Sequence, residues 1–195
     1  MSRTKVSCPG CGARFEQFDG PVHAYMESSP GCWAAYGAVL EREYSNPILL
    51  TTHRLSVDAY AVQHPGQPSR QSIQSVGLHL LRLILQLEHG LSAESANDAM
   101  LHLGRYKHVF FWLEPPASRG SVTVADVVQC QTTEDHARAV QAWARSALSQ
   151  WSIHHKTLEQ WRREIFERTV TPAGATGRRA SRQPGNERRA NPPPA

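Results

Sequence analysis

Downstream of Ser69, Ile73, Val76, Leu78, Leu81, Leu85 and their apolar neighbours alternate with a polar stripe of Ser75, His79, Arg82 and Gln86. The polar positions recur at spacings of four, three and four residues, those of a helix face, so a helix is predicted from Ser69 to Glu88 or His89, stopped by Gly90. Upstream, His53, Val57, Tyr60 and His64 fall on one stripe, and Ile48, Leu55, Ala59 and Val62 on the opposite one. Apolar residues on both sides predict a helix sandwiched inside a bundle, opened by Asn46-Pro47 and closed by Pro65-Gly66. Before it, Ser29 followed by Pro30 has the form of an N-cap with proline at the first helical position, opening a helix through Trp33, Gly37, Leu40 and Tyr44.

Further along, a weaker helix is expected at 93–103, between Ser92 and Gly104. Residues 106–123 read as irregular or extended, with Pro115-Pro116 forbidding helix, and Thr123 caps a short helix at 124–129. From Thr133 to about Arg168 the pattern is helical again and contains an echo. His136, Val140, Trp143 and Ala147 recur at the spacing of His154, Leu158, Trp161 and Ile165, 18 residues later. Such an offset is about five turns, so an unbroken helix would place both sets on one face, whereas a break near Ser149 to Ser152 would make a hairpin. In either case the tryptophan stripe reads as core.

The fold class that follows is mainly α: a helical bundle with a small loop-rich N-terminal zinc-binding module and a disordered C-terminal tail. Residues 1–170 form one domain, with 6–32 as the zinc-knuckle module. Its 195 residues, 40% hydrophobic and 19% charged, suit a single globular domain with its own core. From Thr171 the chain lacks aromatic residues and is crowded with Pro, Gly, Ala and Arg, so 171–195 is expected to be disordered.

The tail carries five arginines and one glutamate. Removing them from the totals of 21 bases and 17 acids leaves 16 of each in residues 1–170. The net charge of +4 therefore belongs to the tail, and nucleic acid is not expected as a partner except weakly through it. Met1 to Lys5 lead into Cys8 without an apolar run, and Leu78 to Leu87 is too short and too interrupted for a membrane span. A cytoplasmic protein with no membrane partner is expected. In that compartment the four cysteines read as metal ligands or packed thiols before disulfides.

Cys8-Pro-Gly-Cys11-Gly12 has the form of a zinc knuckle, in which a tight turn aims two thiolates at one ion. A structural zinc needs two more ligands. The nearest soft donors along the chain are His23 and Cys32, giving C-x2-C-x11-H-x8-C, one Zn2+ per chain held by Cys8, Cys11, His23 and Cys32. Cys130 competes for either place, and otherwise reads as a small buried residue. A redox role for the Cys-x-x-Cys pair is disfavoured, because that chemistry places the pair at a helix start after a strand, whereas glycines flank Cys11 here and no strand is evident upstream.

CPGCG, HAYMESSPGCWAAYGAVLEREY, HRLSVDAYAVQHPG, SRQSIQSVGLHLLRL, FFWLEPP and VTVADVV together resemble a bacterial domain family of unknown function, over roughly residues 8–165. The SPGCW and DAYAVQHPG strings are its specific elements. The resemblance implies that the N-terminal cysteines, Cys32 and several histidines belong to one recurring design, with 171–195 outside it. It brings no activity.

Ten histidines stand beside three lysines. His53 and His64, about 16 Å apart along one helix, cannot ligate one ion. The polar stripe of Ser75, His79, Arg82 and Gln86 reads first as a solvent-facing strip. If the second and third helices form a hairpin around Pro65-Gly66, however, His79 lies level with Asp58 and the stripe lines a polar pocket, with His53, His136 and His154 as further candidates. No phosphate-binding glycine loop, HExxH pair or nucleophile elbow is present. The favoured reading is a zinc-stabilised module that binds a protein or small molecule; the alternative is a metal-dependent hydrolase or transferase using the His/Asp pocket.

Overall fold

Val6 and Phe15 pair across a short antiparallel hairpin, β1 (Lys5–Ser7) and β2 (Arg14–Glu16). The computed structural model describes residues 4–167, so the tail at 171–195 lies outside the described residues. The module is otherwise loop-rich, as expected, but β1 corrects the reading that no strand precedes the Cys-x-x-Cys pair. Three-residue strands are too short for apolar and polar positions to alternate legibly.

Ser29 accepts a hydrogen bond from Cys32 N at 3.2 Å and opens α1 (Pro30–Tyr44). Asn46-Pro47 does not open the next helix directly. Asn46 Oδ1 accepts from Ile48 N at 3.0 Å, a 3-10 turn follows at Leu49–Thr51, and α2 starts only at His53 (His53–Gln63). Ser69 caps α3 (Arg70–Leu87), and Ser92 caps α4 (Ala93–Leu103), which runs into a 3-10 stretch at Gly104–Val109. Thr123 and Asp126 make a capping box for α5 (Val124–Val128). The last helical region breaks at a 3-10 turn, Trp151–His154, between α6 (Thr133–Gln150) and α7 (His155–Glu167).

The core is built around α2. It packs on α1, α3 and α6, and every residue from Asp58 to Gln63 is buried. From α3, Leu80, Leu81, Leu83 and Ile84 are wholly inaccessible, each contributing about 1.5–3 kcal/mol by burial. Trp143, Trp151 and Trp161 are buried as well. Two of these indoles are tied to α2: Trp143 Nε1 donates to Gln63 Oε1 at 2.7 Å, and Trp151 Nε1 donates to the Val62 carbonyl at 3.2 Å. The same Gln63 amide donates to the carbonyls of Arg119 and Val122, at 2.8 and 2.9 Å, pinning the irregular segment ahead of α5. Among the described residues, no helix is long and apolar enough to cross a membrane.

Candidate metal centre

Cys8 follows β1 and begins a turn that Cys8 N closes on the Ala13 carbonyl at 2.8 Å and Gly12 N closes on the Cys8 carbonyl at 3.0 Å. Gly12 has φ 77°, the left-handed conformation that glycine adopts without a Cβ penalty. The chain leaves this turn as β2, not as a helix, which separates the pair from the redox arrangement. Cys32 sits in the first turn of α1, where the Ser29 cap fixes its backbone. His64 is the residue that ends α2, with its N–H still bonded to the Tyr60 carbonyl at 3.1 Å. Gly10 lets the knuckle lie against it: a Cβ at Gly10 would come within 2.2 Å of His64 Cδ2.

Three segments thus bring Cys8, Cys11, Cys32 and His64 together, all buried, with their ligand atoms within 4.8 Å of one another, close enough to bind a metal ion. Cys11 and Cys32 sulfurs are 3.7 Å apart, and His64 Nε2 lies 3.5 Å from Cys8 Sγ and 3.4 Å from Cys32 Sγ. The sulfur separation is far beyond the roughly 2.05 Å of a disulfide, and the cysteines are free. His64 Nδ1–H donates to the Tyr60 carbonyl at 2.7 Å, which leaves the Nε2 lone pair facing the sulfurs. The imidazole is stacked on Tyr60 with ring centroids 4.0 Å apart, and Tyr60 on Tyr36 at 3.8 Å.

Without an ion, three thiols this close cannot all ionise. Hydrogen bonds from Cys11, then Cys32 and His64, hold Cys8 far below the usual thiol range. Cys11 is lowered by its bond with Cys32 but raised more by Cys8 and burial together, and is pushed up to about 12. Cys32 is raised further still, by its hydrogen bonds with Cys11 and Cys8 and by burial. A cation placed among the sulfurs reverses this and favours the thiolates. Burial also keeps the Tyr60 phenol protonated, with its oxygen 3.7 Å from Cys32 Sγ.

His23, the fourth ligand expected from the sequence, is not in this cluster. Its Nδ1 accepts from Met26 N at 3.3 Å, so the ring closes a local turn and packs edge-on against Trp33. Cys130 is also elsewhere, half-buried, with Sγ 3.6 Å from the Asp126 carbonyl. His64 replaces both. Nearness along the chain selected His23, whereas the fold closes a longer loop; the one sequence signal for His64 is its place in DAYAVQHPG, where the helix must end at Pro65.

A family model matches residues 6–152, which takes in all four of these donors. The chain belongs to DUF5946, a family of unknown function. No curated protein and no solved structure matches it.

The DUF5946 span also contains two buried polar clusters that α2 shares with its neighbouring helices. Asp58, fully inaccessible, receives His79 Nδ1 at 2.6 Å on Oδ1, Arg82 Nε and Gln86 Nε2 at 3.0 Å on Oδ2, and a second Arg82 bond on Oδ1. The stripe on α3 therefore faces inward, correcting its reading as a solvent-facing strip. The carboxylate it faces is the one that counting outward from Pro65-Gly66 sets level with His79, and Arg82 and Gln86 converge on it as well.

The second cluster surrounds Glu43, a residue the sequence reading passed over. His53 Nδ1–H donates to Oε2 at 2.9 Å; His136 Nε2–H at 3.0 Å and the Ser56 hydroxyl donate to Oε1. Arg42 Nη1 lies 3.3 Å from His136 Nδ1, which fixes that tautomer. Burial alone would raise the Glu43 carboxyl, but the donors from His136, His53 and Ser56 outweigh it and hold it below its usual range. The helical histidines thus divide: His79 joins Asp58, while His53 and His136 join Glu43. His154 joins neither, bonding the Glu114 carbonyl at 2.8 Å in the turn before α7.

Proposed function

We propose that this chain is a zinc-stabilised helical module whose work is binding, with the metal holding the fold and taking no part in a reaction. The observation that carries this is the donor set: three sulfurs and an imidazole whose second nitrogen is already committed to the Tyr60 carbonyl. Zinc–sulfur bonds of about 2.3 Å and zinc–nitrogen bonds of about 2.0–2.1 Å, placed tetrahedrally, imply S···S edges of roughly 3.8 Å and S···N edges of roughly 3.5 Å. The observed 3.7 Å between Cys11 and Cys32, and 3.5 and 3.4 Å to His64, agree with that geometry. Four protein ligands leave no open position for water, which is the mark of a structural site.

The alternative, a hydrolase or transferase using the His/Asp pocket, finds less support. Asp58 accepts four hydrogen bonds and is inaccessible, so its carboxylate has no lone pair free for a proton or a second metal. Elemental analysis of the full chain purified without chelator should find one zinc per protein. Stripping it should lower the Tm by about 8–16 °C, if free zinc stands near a thousandfold above Kd. A chain carrying no zinc, or one whose melting is indifferent to chelator, overturns the proposal.

A further inference from the structure

The first turns of α3 and the 3-10 stretch Gly104–Val109 enclose a cleft of about 740 Å3 that includes none of the clustered metal donors. Arg70, Gln74, Arg105, Lys107 and His108 line its polar side, Ile73 and Phe110 its apolar side, and no carboxylate contributes. Among the described residues, none of Arg70, Arg105, Lys107 and His108 is paired with an acid, whereas Arg82, Arg138 and Arg162 each have one. The fold holds these cations together against their repulsion. Phe110 anchors the stretch: its ring lies where a Cβ on Gly77 of α3 would meet it at 2.8 Å, and 5.0 Å from the Trp161 ring. The first turn of α3 also carries no acidic residue, so the positive end of an 18-residue helix adds to the field uncompensated.

We infer that this cleft binds a small molecule carrying two or more phosphate groups. Three permanent cations and an imidazole call for several negative charges spread over neighbouring groups, and guanidinium forks match phosphate oxygens two at a time. The volume is that of a small-ligand site. A polymer would need a basic track beyond it, and residues 1–170 carry as many acids as bases. The inference rests on reading the chain as a binding module but uses none of the metal ligands.

The test is calorimetric titration of the full chain with tripolyphosphate at low and physiological salt, with inorganic phosphate in parallel and zinc content read on the same samples. Tripolyphosphate should bind at least about tenfold more tightly than phosphate, and less tightly as salt rises. Arg70→Ala and Arg105→Ala should each weaken it about tenfold; both side chains are exposed, so melting temperature and zinc content should stay at wild-type values. Unchanged affinity in the double variant would place the anion on other cations, such as the arginines of 171–195, and overturn the inference. So would a single-stranded oligonucleotide that binds more tightly than tripolyphosphate and loses its affinity in the same variants. Absence of zinc with tripolyphosphate binding intact would overturn the metal assignment alone.

Discussion

Cys32 Sγ and His64 Nε2 lie 3.4 Å apart although 32 residues separate them in the chain. That contact ties the first turn of α1 to the residue that caps the end of α2, and Cys8 and Cys11 add the hairpin to the same point. His64→Ala should therefore lose the bound zinc, and His64→Cys, which supplies a fourth sulfur, should retain it. His23→Ala should keep one equivalent of zinc, because its ring closes a local turn and packs on Trp33 and is not among the clustered donors. Metal content of the three purified variants decides between the two histidines.

Zinc uptake by the metal-free protein should release about two protons per ion at neutral pH, since Cys11 and Cys32 hold theirs well above pH 7 while Cys8 does not. Raised thiol pKa values mean protons compete harder as pH falls, so affinity should drop steeply below neutrality. Calorimetry in buffers of differing ionisation enthalpy measures the proton count; release of none would contradict the assignment.

Asp58→Ala should cost about 3–5 kcal/mol, because it leaves the inaccessible Arg82 guanidinium without its counter-charge. The paired change Asp58→Leu with Arg82→Met should recover much of that loss by removing both charges together. Urea denaturation of the two proteins gives the comparison directly.

Glu43→Gln should destabilise by about 1–3 kcal/mol at pH 7, because the three donors around it lose a charged acceptor. Glu43 is lowered from its ordinary 4.5, so its contribution is fully present above that value and fades as pH falls through the lower native one. The stability gap between wild type and variant should hold from pH 7 to about 5 and narrow below 4.5. A gap that is unchanged at pH 3 would show that the fold does not lower the Glu43 carboxyl from its ordinary range.

How much of this was legible in the sequence differs by element. Caps were: Ser29, Ser69, Ser92 and Thr123 stand at helix starts because a hydroxyl there meets an otherwise unpaired N–H. Asn46-Pro47 carried the same chemistry and led instead to a 3-10 turn, since a cap satisfies one turn and does not dictate how far the helix extends. Cys8, Cys11 and Cys32 could be gathered from spacing. His64 could not, because only the packing of α2 against the knuckle at Gly10 makes it a neighbour. The Asp58–His79 contact could be anticipated by counting outward from the turn at Pro65-Gly66, but Arg82 at the same carboxylate was not, because an arginine on a mixed stripe has no sequence mark of burial.

Almost every side chain of α2 is enclosed, from His53 at its start to Gln63 at its end. A helix lying on a surface tolerates substitution every third or fourth residue, so a saturation library reads out its period. Across 53–63 such a library would be depleted nearly position by position, with Arg54 and Val57 as the main respites. The segment would then look aperiodic to any method that infers helices from tolerance, although it is helical from end to end.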